Sequence, residues 1–261
     1  MRPEPIKLLG SACIAGGCLM GAAHADPVAV RLVEGNYRAF LAVRTLEGAA
    51  IAHGEQSQRP VGGTLQTRLH LKFQDGSVHE EAVTYTQKKV FRVERYHLVQ
   101  RGASFPTMDV SFDRKTGTYK AVTQSKQGED EKTASGALEI PADVYNGMAA
   151  TLLKNLPASG RASVQMMGFM PKPIVIKMDL STEGEDRVSV GGRVMKVNRH
   201  LAKLDVGGLK GAVAKLIGKD PPDLRYSLVA GSVPVFVRFE GPMFLNGPTV
   251  RIEQTTVQWP K

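Results

Sequence analysis

Apolar and polar residues alternate with a period of two over much of this chain, most plainly from Thr64 to Phe73. Leu65, Thr67, Leu69, Leu71 and Phe73 fall on one face, and Gln66, Arg68, His70 and Lys72 on the other. Successive side chains of an extended chain point to opposite sides, so this is the pattern of a half-buried strand. Asp75-Gly76 follows at once. A two-residue type I′ turn needs positive φ at both central positions, which Asp-Gly accommodates. A hairpin closed in this way pairs Gln74 with Ser77 and sets Phe73 against Val78, Leu69 against Ala82, Lys72 against His79 and His70 against Glu81. In that register His70, His79 and Glu81 share the solvent face, while Leu71 meets Glu80 as a mismatch.

Further runs predict strands over Val28–Val33, Phe40–Thr45, Val90–Gln100, Met108–Phe112, Thr118–Thr123, Ala162–Met167, Ile174–Leu180, Arg187–Val190, Arg193–Val197, Leu224–Val229, Val235–Phe239 and Val250–Val257. Asp113 to Gly117, Glu183 to Asp186 and Gly191-Gly192 carry the glycine and acidic residues that favour chain reversal. Gln124 to Gly136 is the most polar stretch and reads as a solvated loop.

Two segments carry a helical period instead. In Pro141–Lys154, proline stands at a first helical position and Asp143 in the first turn, with Val144, Met148, Ala149 and Leu152 as the stripe and Pro157 as the stop. Gly147 within it costs about 1 kcal/mol relative to alanine. In Gly208–Ile217, Leu209, Val213, Leu216 and Ile217 form the stripe, with Gly218 as cap and Pro221-Pro222 beyond. Many strands, two short helices and no alternation of strand with helix predict a mainly β fold. Its form is a strongly curved antiparallel sheet or partly closed barrel, with a two-sheet sandwich as the alternative. The inside of such a sheet is either core or cavity, and Leu69, Leu71 and Phe73 are the candidate lining residues.

The N-terminus is of another kind. Arg2 and Lys7 precede an apolar, small-residue stretch from Ile6 to Ala23, which ends in Ala23-His24-Ala25. These are the parts of a secretory signal peptide cleaved after Ala25. Its apolar core, Leu8 to Met20, is diluted by glycines and shorter than the roughly 20 residues that span a bilayer. Lipidation at Cys18, after Gly16-Gly17, is the alternative, although Ala15 stands where leucine is usual. Residues 1–25 are thus read as signal peptide and 26–261 as one β-rich domain with an exported, periplasmic location, or a lipid anchor through Cys18. No transmembrane segment is expected after cleavage.

Removing the leader changes the chemistry available. Both cysteines, Cys13 and Cys18, lie within it, so the mature chain has no disulfide, thiol catalyst or cysteine-bound zinc. The whole chain carries +9, and the leader holds Arg2 and Lys7 against Glu4, so the mature charge is +8. A basic balance favours anionic partners, such as an anionic small molecule or an envelope component. The positive residues form no block, and export argues against nucleic acid.

Catalytic signatures are missing: no Gly-x-Ser-x-Gly, His-Glu-x-x-His, P-loop or dinucleotide-binding glycine pattern occurs. No cofactor is implied. His70, His79 and Glu81 are suitable metal ligands if they share a face, but Arg68 and Lys72 beside them repel a cation, so no metal is expected. Met166, Met167, Met170 and Met178 read as core fillers rather than a copper site, and Trp259 as closing a core edge. In Gly218-Lys-Asp-Pro-Pro-Asp223 two rigid prolines fix a loop that presents Lys219 or Asp220 to a ligand, or that simply connects helix to strand. Asn146 and Lys154 are candidates of the same standing, as surface, capping or ligand-contacting residues.

Several short motifs occur together: Asp143-Val-Tyr-Asn-Gly-Met148, Leu152-Leu-Lys-Asn-Leu-Pro157, Pro171-Lys-Pro173, Gly218 to Asp223, Glu240-Gly-Pro242, Gly247-Pro248 and Trp259-Pro260. In this combination the chain resembles a family of uncharacterised exported β-rich bacterial proteins, a domain of unknown function. The resemblance implies export and one β-rich domain, and it supplies no catalytic residues. The expectation is a non-enzymatic periplasmic protein that binds an apolar or amphiphilic ligand or an envelope partner. The alternative is a carboxylate-based hydrolase or lyase acting on an envelope polymer, which needs two facing acids in a cleft.

Overall fold

A computed structural model describes residues 27–124, 129–157, 159–190, 192–205 and 222–255. The expected leader with Cys13 and Cys18, the second expected helix and Trp259 lie outside the described residues. Eight strands come first: β1 (Tyr37–Arg44), β2 (Ala50–Val61), β3 (Thr64–Phe73), β4 (Val78–Gln87), β5 (Phe91–Arg101), β6 (Met108–Asp113), β7 (Thr118–Thr123) and β8 (Lys132–Ala137). A linking segment containing helix α1 (Ala149–Lys154) leads to β9 (Arg161–Phe169), β10 (Pro173–Val190), β11 (Arg193–Asp205), β12 (Leu224–Val229), β13 (Val235–Pro242) and β14 (Thr249–Thr255).

All the strands belong to one 14-stranded sheet, ordered β8-β7-β6-β5-β4-β3-β2-β1-β14-β13-β12-β11-β10-β9. It is two antiparallel meanders joined where β1 pairs with β14, from Phe40 opposite Thr255 to Arg44 opposite Arg251. The edges are β8 and β9, and among the described residues no ladder joins them. Flat, so many strands would leave an apolar face in water; strand twist lets the sheet curl and bury that face against itself. The two halves therefore share a core in which Tyr96, Val110 and Phe112 meet Val164, Met178 and Ala202. Near the edges, the Tyr119 and Phe169 rings stand 6.4 Å apart. The sheet is curled and open, and its continuity excludes a two-sheet sandwich.

The segment between β8 and β9 threads the interior: Val144, Tyr145, Met148, Leu152 and Leu153 are all buried. The expected helix from Pro141 is corrected here, because only Ala149–Lys154 is helical. Upstream, the backbone is committed to β9: Tyr145 N–H donates to Gln165 O (2.9 Å) and Gln165 N–H to Asp143 O (2.9 Å). Gly147 then turns at φ +69, a left-handed conformation that no helix continues through. Val144, Met148 and Leu152 of the apolar stripe are buried as expected, but in two different elements, and Ala149 is half-buried.

Other boundaries moved for similar reasons. Val28–Val33 makes only the single bridge Ala29–Val90. Beside that bridge Val30 N–H donates to Lys89 O (3.0 Å), and the other donors go to side chains: Val28 N–H to Tyr145 Oη, and Arg31 and Leu32 N–H to Asn155 Oδ1. Glu183 to Asp186 does not reverse the chain. It lies within β10, where a bulge between Thr182 and Gly184, with Gly184 at φ +128, lets the strand run on. The far arm of that strand packs Val188 and Val190 with Val197 and with Val237 of β13. Part of the expected Gln124 to Gly136 loop is the edge strand β8. β2, whose middle from His53 to Arg59 carries no apolar side chain, was not anticipated; it needs Gly54, where a Cβ would stand 1.8 Å from His70 O.

Candidate functional site

The site begins at the hairpin turn between β3 and β4. Phe73 N–H donates to Ser77 O (2.9 Å) and Gly76 N–H to Phe73 O (3.1 Å), with Gly76 at φ +83. The loop is thus three residues, Gln74 to Gly76, and not the expected two, and Asp75 Oδ1 accepts from Ser77 N–H (2.9 Å). This is the type I turn with a glycine bulge. One added residue shifts the register by one: Leu71 faces His79, His70 faces Glu80, and Leu69 faces Glu81.

A one-residue shift turns a strand over. His79, Glu81, Val83 and Tyr85 therefore point inward. The expected register would have turned Val78 and Ala82 in and left Val83 and Tyr85 in water. Fully burying one large apolar side chain is worth about 1.5–3 kcal/mol, and Val83 and Tyr85 end 3% and 0% exposed. Their burial decides the register and carries two ionisable groups inside. The alternation of Val83 and Tyr85 with His79 and Glu81 was the signal that could have shown it. His70 stays outside, 3.5 Å from Glu80, so the three residues never meet as a metal site.

Inside, each group is held. Gln100 Nε2, which can only donate, lies 3.0 Å from His79 Nδ1 and 2.8 Å from Met243 O. His79 is thereby neutral with its proton on Nε2, and burial pushes its pKa down to about 4. Tyr96 Oη donates to Glu81 Oε1 (2.9 Å). Burial raises the Glu81 pKa above the usual carboxylate range, and the Tyr96 hydrogen bond opposes that in part. Burial first, and the Glu81 charge second, raise both Tyr96 and Tyr226. Among the described residues Glu81 Oε2 and the Tyr226 hydroxyl have no hydrogen-bond partner.

These groups edge two cavities of about 250 Å³ each. The first is walled by Leu69, His79, Glu81, Met178, Tyr226 and Phe239, among others. The second is walled by Tyr96, Leu98, Val110, Phe169, Ile174 and Phe244, among others. Asn146, Met166, Leu224, Pro242 and Met243 wall both, so the two spaces are neighbours. Gly147 keeps the first open: a Cβ there would stand 2.6 Å from Val83 Cγ2 and 3.1 Å from Glu81 Oε2.

The expected site residues divide. Leu69 lines the first cavity. Leu71 and Phe73 do not: they are buried in a second core with Val43 and Phe105, and it is Leu41 and Ile252 of that core that reach the cavity wall. Asn146 lines both cavities, but its amide is spent: Oδ1 accepts from Met167 N–H (2.7 Å) and Nδ2 donates to Met167 O (2.8 Å). Lys154 is neither surface nor cap, being ion-paired with Glu34. Lys219 and Asp220 lie outside the described residues. Tyr96 and Tyr226 are the residues that the sequence reading missed; His79 and Glu81 it had placed on the solvent face, and the shifted register carries them inside. Among the described residues, no group of three or more His, Cys, Asp or Glu is placed to hold a metal.

No family model and no curated protein matches the chain. Among solved structures it is similar to the crystal structure of a beta-barrel-like protein of domain of unknown function DUF1849 from Brucella abortus. That similarity has a TM-score of 0.44 at 8% identity and covers 87% of this chain and 98% of the other.

Proposed function

We propose that this protein is exported to the periplasm and acts there as a non-enzymatic binding protein, holding an apolar or amphiphilic molecule inside its curled sheet. One observation carries the reading: the inside of the curled sheet is not packed solid, and two neighbouring cavities of about 250 Å³ each, both partly open to solvent, lie along it. Apolar walls with a few polar groups are the usual composition of a small-molecule site. Export rests on the basic start, the small-residue apolar run and Ala23-His24-Ala25.

The hydrolase alternative needs two facing carboxyls. Among the described residues that wall the two cavities, Glu81 is the one acid, so nothing favours that reading here.

Native mass spectrometry of the protein purified from its own periplasm tests the proposal. The expected result is an additional bound mass that disappears on denaturation, and that is lost in Leu69→Trp, where the indole occupies the first cavity. Protein that emerges empty and takes up no amphiphile when one is added would overturn it.

A further inference from the structure

We infer that the interior site selects ligands whose polar end is uncharged or cationic, and that it rejects carboxylates. This rests on the binding role proposed above, and it runs against the preference for anions that a net charge of +9 suggests. The positive charge is elsewhere, since no lysine or arginine is among the described residues walling either cavity. Of the polar groups that are, several are already occupied. The Asn146 amide holds Met167, Tyr145 Oη donates to Phe91 O (3.1 Å), and His79 Nδ1 faces Gln100.

In the first cavity the His79 Nε2–H, the Gln56 amide, the Tyr226 hydroxyl and Glu81 Oε2 remain for a ligand: neutral groups on one side, one carboxylate on the other, and no cation. A neutral hydroxyl or amide can exchange hydrogen bonds with these. A protonated amine can pair with the Glu81 carboxylate. A ligand carboxylate must shed its water, finds no cation to replace it, and lies against another acid. A cavity of about 250 Å³ suits a medium-length chain rather than a whole phospholipid.

The test is calorimetric titration of the full chain with 1-decanol, decylamine and decanoate, each below its aggregation limit. The alcohol and the amine should bind, and decanoate at least tenfold more weakly than either. In Glu81→Gln the amine should lose about tenfold while the alcohol changes by less than threefold. Decanoate binding as tightly as decanol overturns this inference and leaves the cavity reading standing. If none of the three binds, the binding reading itself fails and takes the inference with it. The comparison on the unaltered protein decides by itself, so it does not depend on the variant folding.

Discussion

Asn146→Ala is expected to destabilise the protein by about 2–6 kcal/mol. The amide stands in for a strand at the β9 edge, where the backbone ladder of Asp143 and Tyr145 with Gln165 has just ended. It meets both polar groups of the next available residue, at 2.7 Å from Met167 N and 2.8 Å from Met167 O. Asn146 is 3% exposed and Met167 2%. Alanine leaves a buried N–H and a buried C=O unpaired, at about 1–3 kcal/mol each, and water entering from the adjoining cavities sets the lower end. Against a typical total of about 5–15 kcal/mol this is a large loss. Urea denaturation followed by circular dichroism measures it, with an unchanged slope and a lower midpoint. Asn146→Asp sharpens the experiment, because a carboxylate still accepts from Met167 N–H but sets an oxygen against Met167 O. Protonated, it can donate again, so its folded pKa lies above the ordinary value of about 3.9. The stability it recovers is present at low pH and lost as pH rises through that folded pKa. A loss below about 1 kcal/mol in Asn146→Ala would refute the claim that this side chain completes the sheet edge.

Four further outcomes are expected. Gly147→Ala should lower stability by about 2–3 kcal/mol, since it combines φ +69 with a Cβ 2.6 Å from Val83 Cγ2, as read by thermal unfolding. His79 has a folded pKa of about 4 against 6.5 unfolded, so its contribution is whole above pH 6.5 and declines as pH falls towards 4. That interval is worth about 3 kcal/mol, and denaturation midpoints of His79→Gln should lack this part of the decline. Glu81 has a raised folded pKa, so stability is lost as pH rises from about 4.5 through that value. The stability advantage of Glu81→Gln over the native protein should therefore grow with pH. Leu71→Ala, at a fully buried position, should cost about 2–5 kcal/mol without changing ligand affinity, because Leu71 lies in the second core and not at the cavities.

Period-two alternation was enough to read the strands, because one side of a half-buried sheet must be apolar whatever lies across from it. Most strand positions and the Asp113 to Gly117 turn follow from that alone; Arg114 N–H donates to Glu94 O there, and Gly117 takes φ +63. β2 and β8 carry little such pattern. They are strands because their neighbours supply ladders, from His53 opposite Lys72 in one case and Lys120 opposite Ser135 in the other. The helix from Pro141 failed for the complementary reason. Its local preferences were genuine, but β9 offered its edge to Asp143 and Tyr145, and pairing a buried edge outweighs about two turns of helix.

The candidate site was the least legible part. The residues themselves stood in the sequence, and the hairpin was found, but Asp-Gly fits both a two-residue and a three-residue loop. The choice depends on whether Val83 and Tyr85 find an interior, which exists only once fourteen strands have curled. What the chain determined alone was its local alternation, its turns and the character of its leader, since those depend on neighbours in sequence. The curl, the register, and with them the placing of Glu81 and His79 inside rather than out, were decided by burial between segments far apart in the chain.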